Sequence, residues 1–306
     1  MRERIRVILK SGKDQSVHRY HPWIFSGAIK KMSGKPLEGE EVEVYDNKDN
    51  FLAVGYYQPS SIAIRIMDFS DRKLDISFYT EKLSDAIKLR KELGFFEDES
   101  TNAFRLVHAE GDGLPGLIID YYNGVAVTQI HSVGVYKNRM IIAKILSDHL
   151  TGELAAVYDK SKTSLPYNSG IEEEEGYLLG KSGLKKIREN SYNFHVVWIN
   201  GQKTGFFIDQ RENRKLLGEY SKDRDVLNMF GYTGGFSVYA MNNARSVHTV
   251  DVSSRAVDMA NKNIKLITNI SFFIILILYY VSCLVDIPDR SIFIQTGITL
   301  NCGKAY

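Results

Sequence analysis

Cysteine is nearly absent from this sequence and is confined to its end. The 306 residues contain two cysteines, Cys283 and Cys302, so the first 266 residues can form neither a disulfide framework nor a cysteine-ligated zinc site. This usage fits a reducing compartment, and we predict a cytoplasmic protein. The amino terminus carries charges of both signs and lacks the apolar stretch that a secretory signal needs.

Net charge and clustered metal ligands are also scarce. Charged residues make up 25% of the chain, but the formal net charge is only +2. No global field therefore selects a nucleic-acid partner, and any such surface must be local. His18 and His21 form an H-x-x-H pair without a third ligand, so we favour hydrogen-bonded histidines over a metal site. We predict no bound metal.

The length of the chain suits two or three domains. Short alternating segments, among them Glu41–Tyr45 and Ile62–Met67, predict a small β-barrel. Helices are predicted from Tyr79 to Leu93 and from Tyr136 to Leu150, and Asn123-Gly124 predicts a hairpin between them. The predicted divisions are residues 1–75, 76–185, 186–266 and 267–306.

The third region opens with short elements before a helix. Asp209 and Glu212 have the spacing of a capping box, which predicts a helix that starts at Asp209 and stops at Gly218. The other elements predicted here and just upstream are a strand over Tyr192–Ile199, a turn at Asn200-Gly201, a strand over Lys203–Ile208 and a solvated acidic loop over Glu172–Glu175.

The pattern that carries chemistry begins at Asp225. A strand over Asp225–Phe230 leads into Gly231-Tyr-Thr-Gly-Gly-Phe236 and a helix, and a second strand ends at Asp251 before a helix over Ser254–Leu266. Glycines allow close backbone approach to a nucleoside, and an acid about 20 residues on accepts ribose hydroxyls. The G-x-x-G-G turn departs from the G-x-G-x-x-G that seats a pyrophosphate. This favours S-adenosylmethionine (SAM), which has no phosphate, over a nicotinamide cofactor; a purely structural turn is the alternative.

Longer segments surround this turn. Gly201–Arg214 reads Gly-Gln-Lys-Thr-Gly-Phe-Phe-Ile-Asp-Gln-Arg-Glu-Asn-Arg, and Val226–Val238 contains the glycine turn. With His21–Gly27 and Phe104–Asp120, these segments resemble the bacterial large-subunit ribosomal RNA cytosine-5 methyltransferases of the PUA-domain type, over residues 1–266. The resemblance implies an α/β and β fold class: an N-terminal PUA-like small β-barrel, an α+β central domain and an incomplete Rossmann-like methyltransferase domain.

The resemblance also implies functional residues and partners. It implies that 23S ribosomal RNA is the partner. A homodimer is possible, and we expect no association with a membrane. Asp209 as a helix cap, Phe206 and Phe207 as core residues, and Trp23 as a core aromatic are the structural alternatives. Arg211 and Arg214 could be surface charges, and Asn228 receives no charge-dependent role. The implied SAM-binding residues are Phe207, Asp209, Gln210, Arg211, Phe230, Gly231, Tyr232, Thr233, Gly234, Asp251, Val252 and Ser253, and the implied RNA contacts are Arg19, His21 and Trp23.

The character of the chain changes after Leu266. The last 40 residues contain only four charged side chains, and Ile270–Val285 contains none. Three interpretations stay open: out-of-frame translation, a membrane anchor, and buried strands of an unusual domain end. The uncharged run is 16 residues long, shorter than the roughly 20 residues that span a bilayer.

The family's later motifs do not occur in this sequence. Asp286-Ile-Pro-Asp289 is not the expected Asp-Pro-Pro, and Cys283 lies too early to be the expected nucleophile. The resemblance therefore implies no catalytic residue here, and we expect an incomplete sheet. We predict a SAM-dependent 23S ribosomal RNA cytosine-C5 methyltransferase lineage in a chain with little or no activity and weak, Asp251-dependent SAM binding. A non-catalytic PUA-type RNA-binding protein is the alternative.

Overall fold

The computed structural model describes residues 4–166 and 175–267, together with the backbone of two later strands. It forms two compact units. Unit 1 comprises residues 1–98, 102–183 and 198–205, and unit 2 comprises residues 99–101, 184–197 and 206–306. The finer division of the first 185 residues into two domains stays a prediction.

Unit 1 begins with a six-stranded mixed sheet. Its elements are β1 (Ile5–Leu9), helix α1 (Gln15–His18), β2 (Trp23–Phe25), a 3-10 turn (Ser26–Ala28), β3 (Ile29–Met32), β4 (Glu41–Tyr45), β5 (Phe51–Tyr57) and β6 (Ile62–Asp68). The strand order is β2-β6-β5-β4-β1-β3. Val42 and Val44 of β4 are buried while the flanking residues are half-exposed, so the predicted alternation is confirmed. They pack with Val7, Leu9 and Ile64 in one apolar cluster.

A second sheet in unit 1 has five strands and is accompanied by helices. Its elements are α2 (Ile76–Glu92), β7 (Ala103–His108), a 3-10 turn (Ala109–Asp112), β8 (Leu117–Tyr122), β9 (Val125–Ile130), α3 (Val133–Lys137), α4 (Arg139–His149), β10 (Ala156–Asp159) and β11 (Gly176–Gly180). The order is β11-β10-β9-β8-β7. Asn123 and Gly124 have φ values of 46° and 92°, both positive as a two-residue hairpin turn requires, so the predicted hairpin is confirmed.

The two sheets of unit 1 share one hydrophobic core. Tyr56 of β5 belongs to the same buried cluster as Phe78 of α2 and Leu146 of α4. The hydroxyls of Tyr56 and Tyr79 are hydrogen-bonded at 2.9 Å within it. This shared core explains why the first 183 residues form one compact unit, apart from the short segment 99–101.

Two predicted helices of unit 1 have different bounds in the structure. The first begins earlier than predicted because Asp75 caps it, accepting hydrogen bonds from Ser77 N at 2.9 Å and Phe78 N at 3.4 Å. The prediction of one helix over Tyr136–Leu150 is wrong, since α3 and α4 meet at Asn138. The Asn138 side chain donates to Gly134 O at 3.0 Å and stabilises this break.

Unit 2 contains a hairpin and a parallel sheet. Its elements are β12 (Lys185–Glu189), β13 (Tyr192–Val196), a 3-10 turn (Ile208–Gln210), α5 (Arg211–Tyr220), β14 (Asp225–Met229), α6 (Gly235–Ala240), β15 (Ser246–Asp251), α7 (Ser254–Lys265), β16 (Ile274–Leu276) and β17 (Ser291–Gln295). The sheet order is β16-β15-β14-β17, with every neighbour parallel. β12 and β13 pair antiparallel.

The predicted hairpin at Asn200-Gly201 is wrong. The hairpin lies at Asn190-Ser191, whose φ values are 48° and 69°. Segment 198–205 makes side-chain hydrogen bonds within unit 1 instead of pairing as a strand. Lys160 Nζ donates to the carbonyls of Trp198 and Gly201, and Thr204 Oγ1 donates to a buried carboxylate at 2.6 Å.

The predicted capping box at Asp209 is also wrong. Asp209 lies within the 3-10 turn, and Gln210 occupies the N-cap of α5 without a side-chain capping bond. The helix continues past Gly218 to Tyr220. A Cβ at Gly218 would lie 3.1 Å from the carbonyl oxygen of Tyr239 in α6, so close packing of the two helices explains the glycine.

The tail contributes backbone strands to the sheet of unit 2. Ile274–Leu276 pairs with β15, and Ser291–Gln295 pairs with β14. The backbone of these two segments therefore forms strands, and their burial stays a prediction. Most of Ile270–Val285, both cysteines and nearly all of the acidic loop Glu172–Glu175 lie outside the described residues.

Candidate functional site

The parallel sheet of unit 2 has one point at which its strand order reverses. From β14 the chain passes through α6 to β15 and through α7 to β16 on one side, while β17 lies on the other side of β14. In open α/β sheets, ligands bind outside the carboxyl ends of the strands at such a point. The residues that follow β14 and β15 therefore form the candidate site.

A tight turn directly follows β14. Phe230, Tyr232 and Gly234 have φ values of 57°, 48° and 77°, in the left-handed region that non-glycine residues rarely adopt. Gly231 N donates to Val250 O at 2.9 Å, and Gly234 N donates to Gly231 O at 2.8 Å. Two non-glycine residues with positive φ in one turn indicate a functional constraint on its backbone.

Close backbone approaches require the glycines of this turn. A Cβ at Gly231 would clash with Cγ2 of Thr249 in β15. A Cβ at Gly234 would lie 3.0 Å from Cβ of Ala260 in α7, and the positive φ of Gly234 adds strain for any larger residue. The turn therefore needs glycine for packing, independently of any ligand.

The carboxylate of Asp251 holds the turn from the end of β15. Its Oδ2 accepts a hydrogen bond from Tyr232 N, and its Oδ1 accepts one from Ser253 N, both at 2.9 Å. Each carboxylate oxygen retains a second lone pair, so Asp251 can also accept ligand hydroxyls. Val252 is 64% exposed, and Ser253 caps α7. The structure thus brings Tyr232, Asp251 and Ser253 together.

Phe207 lies at the same turn, whereas Phe206 belongs to the core. The rings of Phe207 and Tyr232 meet edge-on with centroids 5.4 Å apart. The carbonyl of Phe207 accepts a hydrogen bond from Arg214 Nη1 at 2.9 Å. Phe206 is buried, with its ring 5.1 Å from that of Phe194 and 4.5 Å from the Arg214 guanidinium.

A buried ion pair that the sequence did not reveal supports Phe207. Arg214 Nε and Nη2 donate to the two carboxylate oxygens of Glu189 at 2.8 and 2.7 Å, and both side chains are almost fully buried. The hydroxyl of Tyr239 donates to Glu189 Oε1 at 3.0 Å, and burial next to this carboxylate raises the pKa of Tyr239. The alternative of Arg214 as a surface charge is therefore wrong. Its partner is 25 residues away, so no local spacing could have indicated it.

Buried amides on α7 and β14 also support the turn. Asn263 Nδ2 donates to Thr233 O at 2.9 Å, and its Oδ1 accepts a hydrogen bond from His195 N at 2.7 Å. The side chain of Asn263 therefore ties the turn to both α7 and β13. Asn228 Nδ2 donates to Ser237 Oγ at 2.8 Å inside the core, a neutral contact.

The other implied cofactor residues surround the start of α5. Asp209 is exposed, and its Oδ2 accepts a hydrogen bond from Gln210 Nε2 at 3.4 Å. Arg211 Nε lies 3.5 Å from the buried carboxylate of Glu189. Contact of these three residues with a cofactor stays a prediction.

The implied RNA contacts lie in unit 1, at and before β2. Arg19 and His21 are exposed, and the His21 ring meets the Trp23 ring edge-on at 5.8 Å. Trp23 is half-buried, and its Nε1 donates to Glu110 Oε1 at 2.9 Å. Trp23 is therefore not the fully buried core aromatic of the alternative interpretation.

The two N-terminal histidines do not converge on a common point. His18 Nε2 is hydrogen-bonded to Asp14 Oδ2 at 3.1 Å, while His21 Nδ1 accepts from Trp23 N at 3.2 Å. Among the residues that the structure describes, no group of three or more His, Cys, Asp or Glu could hold a metal ion. No helix in the described parts of the chain is long and apolar enough to cross a membrane.

A parallel sheet with a glycine turn after one strand and an acid at the end of the next is the arrangement of Rossmann-type nucleoside-binding domains. Comparison with models of protein families identifies the family within this class. A family described as S-adenosylmethionine-dependent methyltransferase matches residues 106–273, and a PUA-like domain matches residues 7–69. The chain belongs to the S-adenosylmethionine-dependent methyltransferase family, and its first sheet is a PUA-like domain.

Curated relatives match most of this chain. Ribosomal RNA large subunit methyltransferase I of Alteromonas mediterranea is 39% identical over 267 residues, which cover 85% of this chain and 65% of the relative. The protein of the same name from Pseudoalteromonas translucida is 38% identical over 264 residues, covering 85% and 66%. These relatives confirm the resemblance. The chain spans about two thirds of their length.

Solved structures confirm the fold. A candidate SAM-dependent methyltransferase from Streptococcus mutans superposes with a TM-score of 0.76 at 21% identity, covering 89% of this chain and 70% of that one. A candidate methyltransferase complexed with S-adenosylhomocysteine (SAH) gives the same values. At this identity the likeness establishes the fold alone.

Proposed function

We propose that this chain provides the RNA-binding and cofactor-binding parts of a SAM-dependent methyltransferase that acts on cytosine C5 of 23S ribosomal RNA. The observation that carries the proposal is the turn after β14, held by Asp251 where the strand order reverses. The ribosomal RNA relatives and the PUA-like domain support RNA as the substrate class. The target base rests on the resemblance over residues 1–266.

The residues at the turn fit SAM. Gly231 and Gly234 allow the turn to pack closely on β15 and α7, and Asp251 has lone pairs for ribose hydroxyls. Phe207 and Tyr232 supply aromatic surface for an adenine ring. Bound SAM supplies an activated methyl group. The chain itself would orient the adenosine half of the cofactor through the residues just named. The wall of the pocket would be completed by Asp209, Gln210, Arg211, Phe230, Thr233, Val252 and Ser253.

Transfer to C5 needs more than cofactor binding. Cytosine C5 is a weak nucleophile until a thiolate adds to C6 and generates an enamine. The two cysteines of this chain, Cys283 and Cys302, lie outside the described residues, and Cys283 comes too early in the sequence to be the nucleophile that the resemblance implies. We therefore expect the 306-residue polypeptide, assayed alone, to bind the cofactor weakly and to transfer no methyl group.

Two measurements on the full chain test this function. Calorimetry with SAH measures cofactor binding, and transfer of a radiolabelled methyl group from SAM to 23S ribosomal RNA measures catalysis. Weak SAH binding without transfer is the expected outcome. Absence of SAH binding by the folded chain would contradict the cofactor site. Methyl transfer to cytosine would contradict the expected inactivity, and transfer to another base would contradict the assigned target.

The PUA-like domain favours a second candidate, a non-catalytic RNA-binding protein. Its profile match spans residues 7–69, all of which the structure describes. This candidate predicts salt-dependent RNA binding with no SAH binding, so the same calorimetry separates the two functions. The question of a homodimer stays open.

A further inference from the structure

One arginine in the PUA-like domain is half-buried and has no ion-pair partner among the residues that the structure describes. Arg65 lies on β6, directly opposite Trp23 of the edge strand β2 and opposite Tyr56 of β5. Residues directly opposite each other in antiparallel strands have side chains on the same face of the sheet. Arg65 therefore stands in a row that runs from half-buried Trp23 at the sheet edge to buried Tyr56.

The hydrogen-bonding capacity of Arg65 is largely unused. Its Nη1 donates to Gln58 Oε1 at 2.6 Å, while its Nε is buried without an acceptor. Its side chain packs against the central part of unit 1, since a Cβ at Gly116 would lie 3.6 Å from its Cδ and Nε. Burial lowers the pKa of Arg65. The Nη1 and Nη2 groups of a guanidinium carry four N–H donors, so an anion at this face would find donors besides the one bonded to Gln58.

Other buried arginines of the described chain have carboxylates. Arg90 is paired with Asp112 at 2.6 Å, and Arg214 is paired with Glu189 at 2.7 Å. Arg65 has no carboxylate within ion-pairing distance among the described residues. Removing a charge from water without a counter-ion is unfavourable. Binding of an external anion should therefore be more favourable at Arg65 than at an exposed arginine.

Glu110 acts on Arg65 through its charge, and no ion pair between them is found in the described residues. Glu110 is exposed, its Oε1 accepts the Trp23 indole N–H at 2.9 Å, and its charge raises the pKa of Arg65. Glu110 thus contributes a negative field at the guanidinium without bonding to it. Trp23 therefore has Arg65 opposite it on β6 and Glu110 hydrogen-bonded to its indole, and the Glu110 carboxylate would repel an anion bound there.

We propose that Arg65 binds a backbone phosphate of the substrate RNA, with Trp23 beside it as a stacking surface for a base, and that Glu110 weakens this binding through its charge. Arginine donates in a planar fork that suits phosphate oxygens, and aromatic rings stack on unpaired bases. The proposal rests on RNA as the substrate class of the proposed function.

Two variants of the full chain test the site against a short fluorescein-labelled single-stranded RNA. Arg65→Gln is expected to weaken binding about tenfold, the loss of one charge-assisted hydrogen bond. It should also reduce the slope of log K against log salt by about one. Glu110→Gln is expected to tighten binding by up to about fivefold, because it removes the charge and keeps an acceptor for the Trp23 indole.

Lys88→Gln and Glu92→Gln are matched controls on α2, where both side chains are exposed. Each should change RNA affinity less than its counterpart at the site. An unchanged salt slope in Arg65→Gln, or Glu110→Gln that binds no more tightly than wild type, overturns the proposal. The exposed Glu110 variant keeps the test decisive if Arg65→Gln fails to fold.

The outcomes also separate this site from the proposed function. If the wild-type chain binds no RNA at any salt concentration, both the site and the RNA substrate class are wrong. If the wild type binds RNA in a salt-dependent way and neither variant changes that binding, only the Arg65 site is wrong. SAH binding is expected to be equal in wild type and both variants, since Arg65 and Glu110 lie in unit 1.

Discussion

Replacing the Asp251 carboxylate by an amide tests the cofactor site most directly. The carboxylate accepts two backbone N–H groups and would accept the ribose hydroxyls with its remaining lone pairs. Asp251→Ala would delete both functions at once. Asp251→Asn keeps the size and one oxygen acceptor, so it perturbs the turn less than Asp251→Ala does, although one of the two backbone N–H groups loses its acceptor.

The expected size of the effect follows from the hydrogen bonds. A bond to a charged acceptor contributes about 1.5–3 kcal/mol, and a neutral bond about 1 kcal/mol. In Asp251→Asn, two charged hydrogen bonds to the ribose are replaced by one neutral hydrogen bond. At this half-exposed side chain, the change should weaken the binding free energy of SAH by about 2 kcal/mol. SAH affinity should therefore fall roughly 30-fold in Asp251→Asn.

Calorimetry with a pair of ligands completes the test of Asp251. Wild type and Asp251→Asn are each titrated with adenosine and with 2′,3′-dideoxyadenosine, which lacks both ribose hydroxyls. The two proteins and two ligands form a double-mutant cycle, which isolates the contact between the carboxylate and the ribose hydroxyls. In Asp251→Asn, only the affinity for adenosine should fall. Asp258→Asn, on the exposed face of α7, is the charge-matched control. An equal loss for both ligands, or no loss for adenosine, would refute the assignment of the ribose to Asp251.

Three further predictions concern the residues that support these sites. Gly231→Ala should lower the free energy of unfolding by about 1–3 kcal/mol in thermal denaturation, because the new methyl group would clash with Thr249. Arg214→Met should cost about 3–5 kcal/mol in denaturant unfolding, because it leaves the Glu189 carboxylate buried without its cation. Burial, and then a neighbouring arginine, lowers the pKa of His131, so the unfolded chain binds a proton at a higher pH than the folded chain does. The free energy of unfolding should therefore fall as the pH drops below about 6.5, and it should fall less in His131→Gln.

Matched variants check each of these predictions. Gly183→Ala has open space around its new Cβ and should leave the melting temperature nearly unchanged. Arg224→Met replaces an exposed arginine, and His248→Gln an exposed histidine. If a control variant loses as much free energy of unfolding as the variant that it matches, the proposed cause is wrong. That cause is packing for Gly231, burial for Arg214 and the pKa shift for His131.

The local sequence carried enough information for several elements and for the position of the candidate site. Alternation predicted β4, Asn123-Gly124 predicted its hairpin, and the spacing from Gly231 to Asp251 predicted a strand, turn, helix and strand in the right order. Each of these patterns depends on neighbours within a few residues or on one helical crossover. The same local reasoning misplaced the hairpin of unit 2 and the start of α5.

What the sequence by itself determined was the place of the turn, because periodicity and glycine spacing act over short distances, while the resemblance of longer segments to a known family implied the class of the fold. Only the tertiary structure decided which polar residues support that turn. Glu189 and Arg214 are 25 residues apart, and Asn263 and Thr233 are 30 apart, so no spacing rule links them. Arg65 became a candidate site only when strand pairing set it beside Trp23, which is 42 positions earlier in the chain. Hydrogen bonds and ion pairs depend on distance in space, and chain folding alone sets that distance.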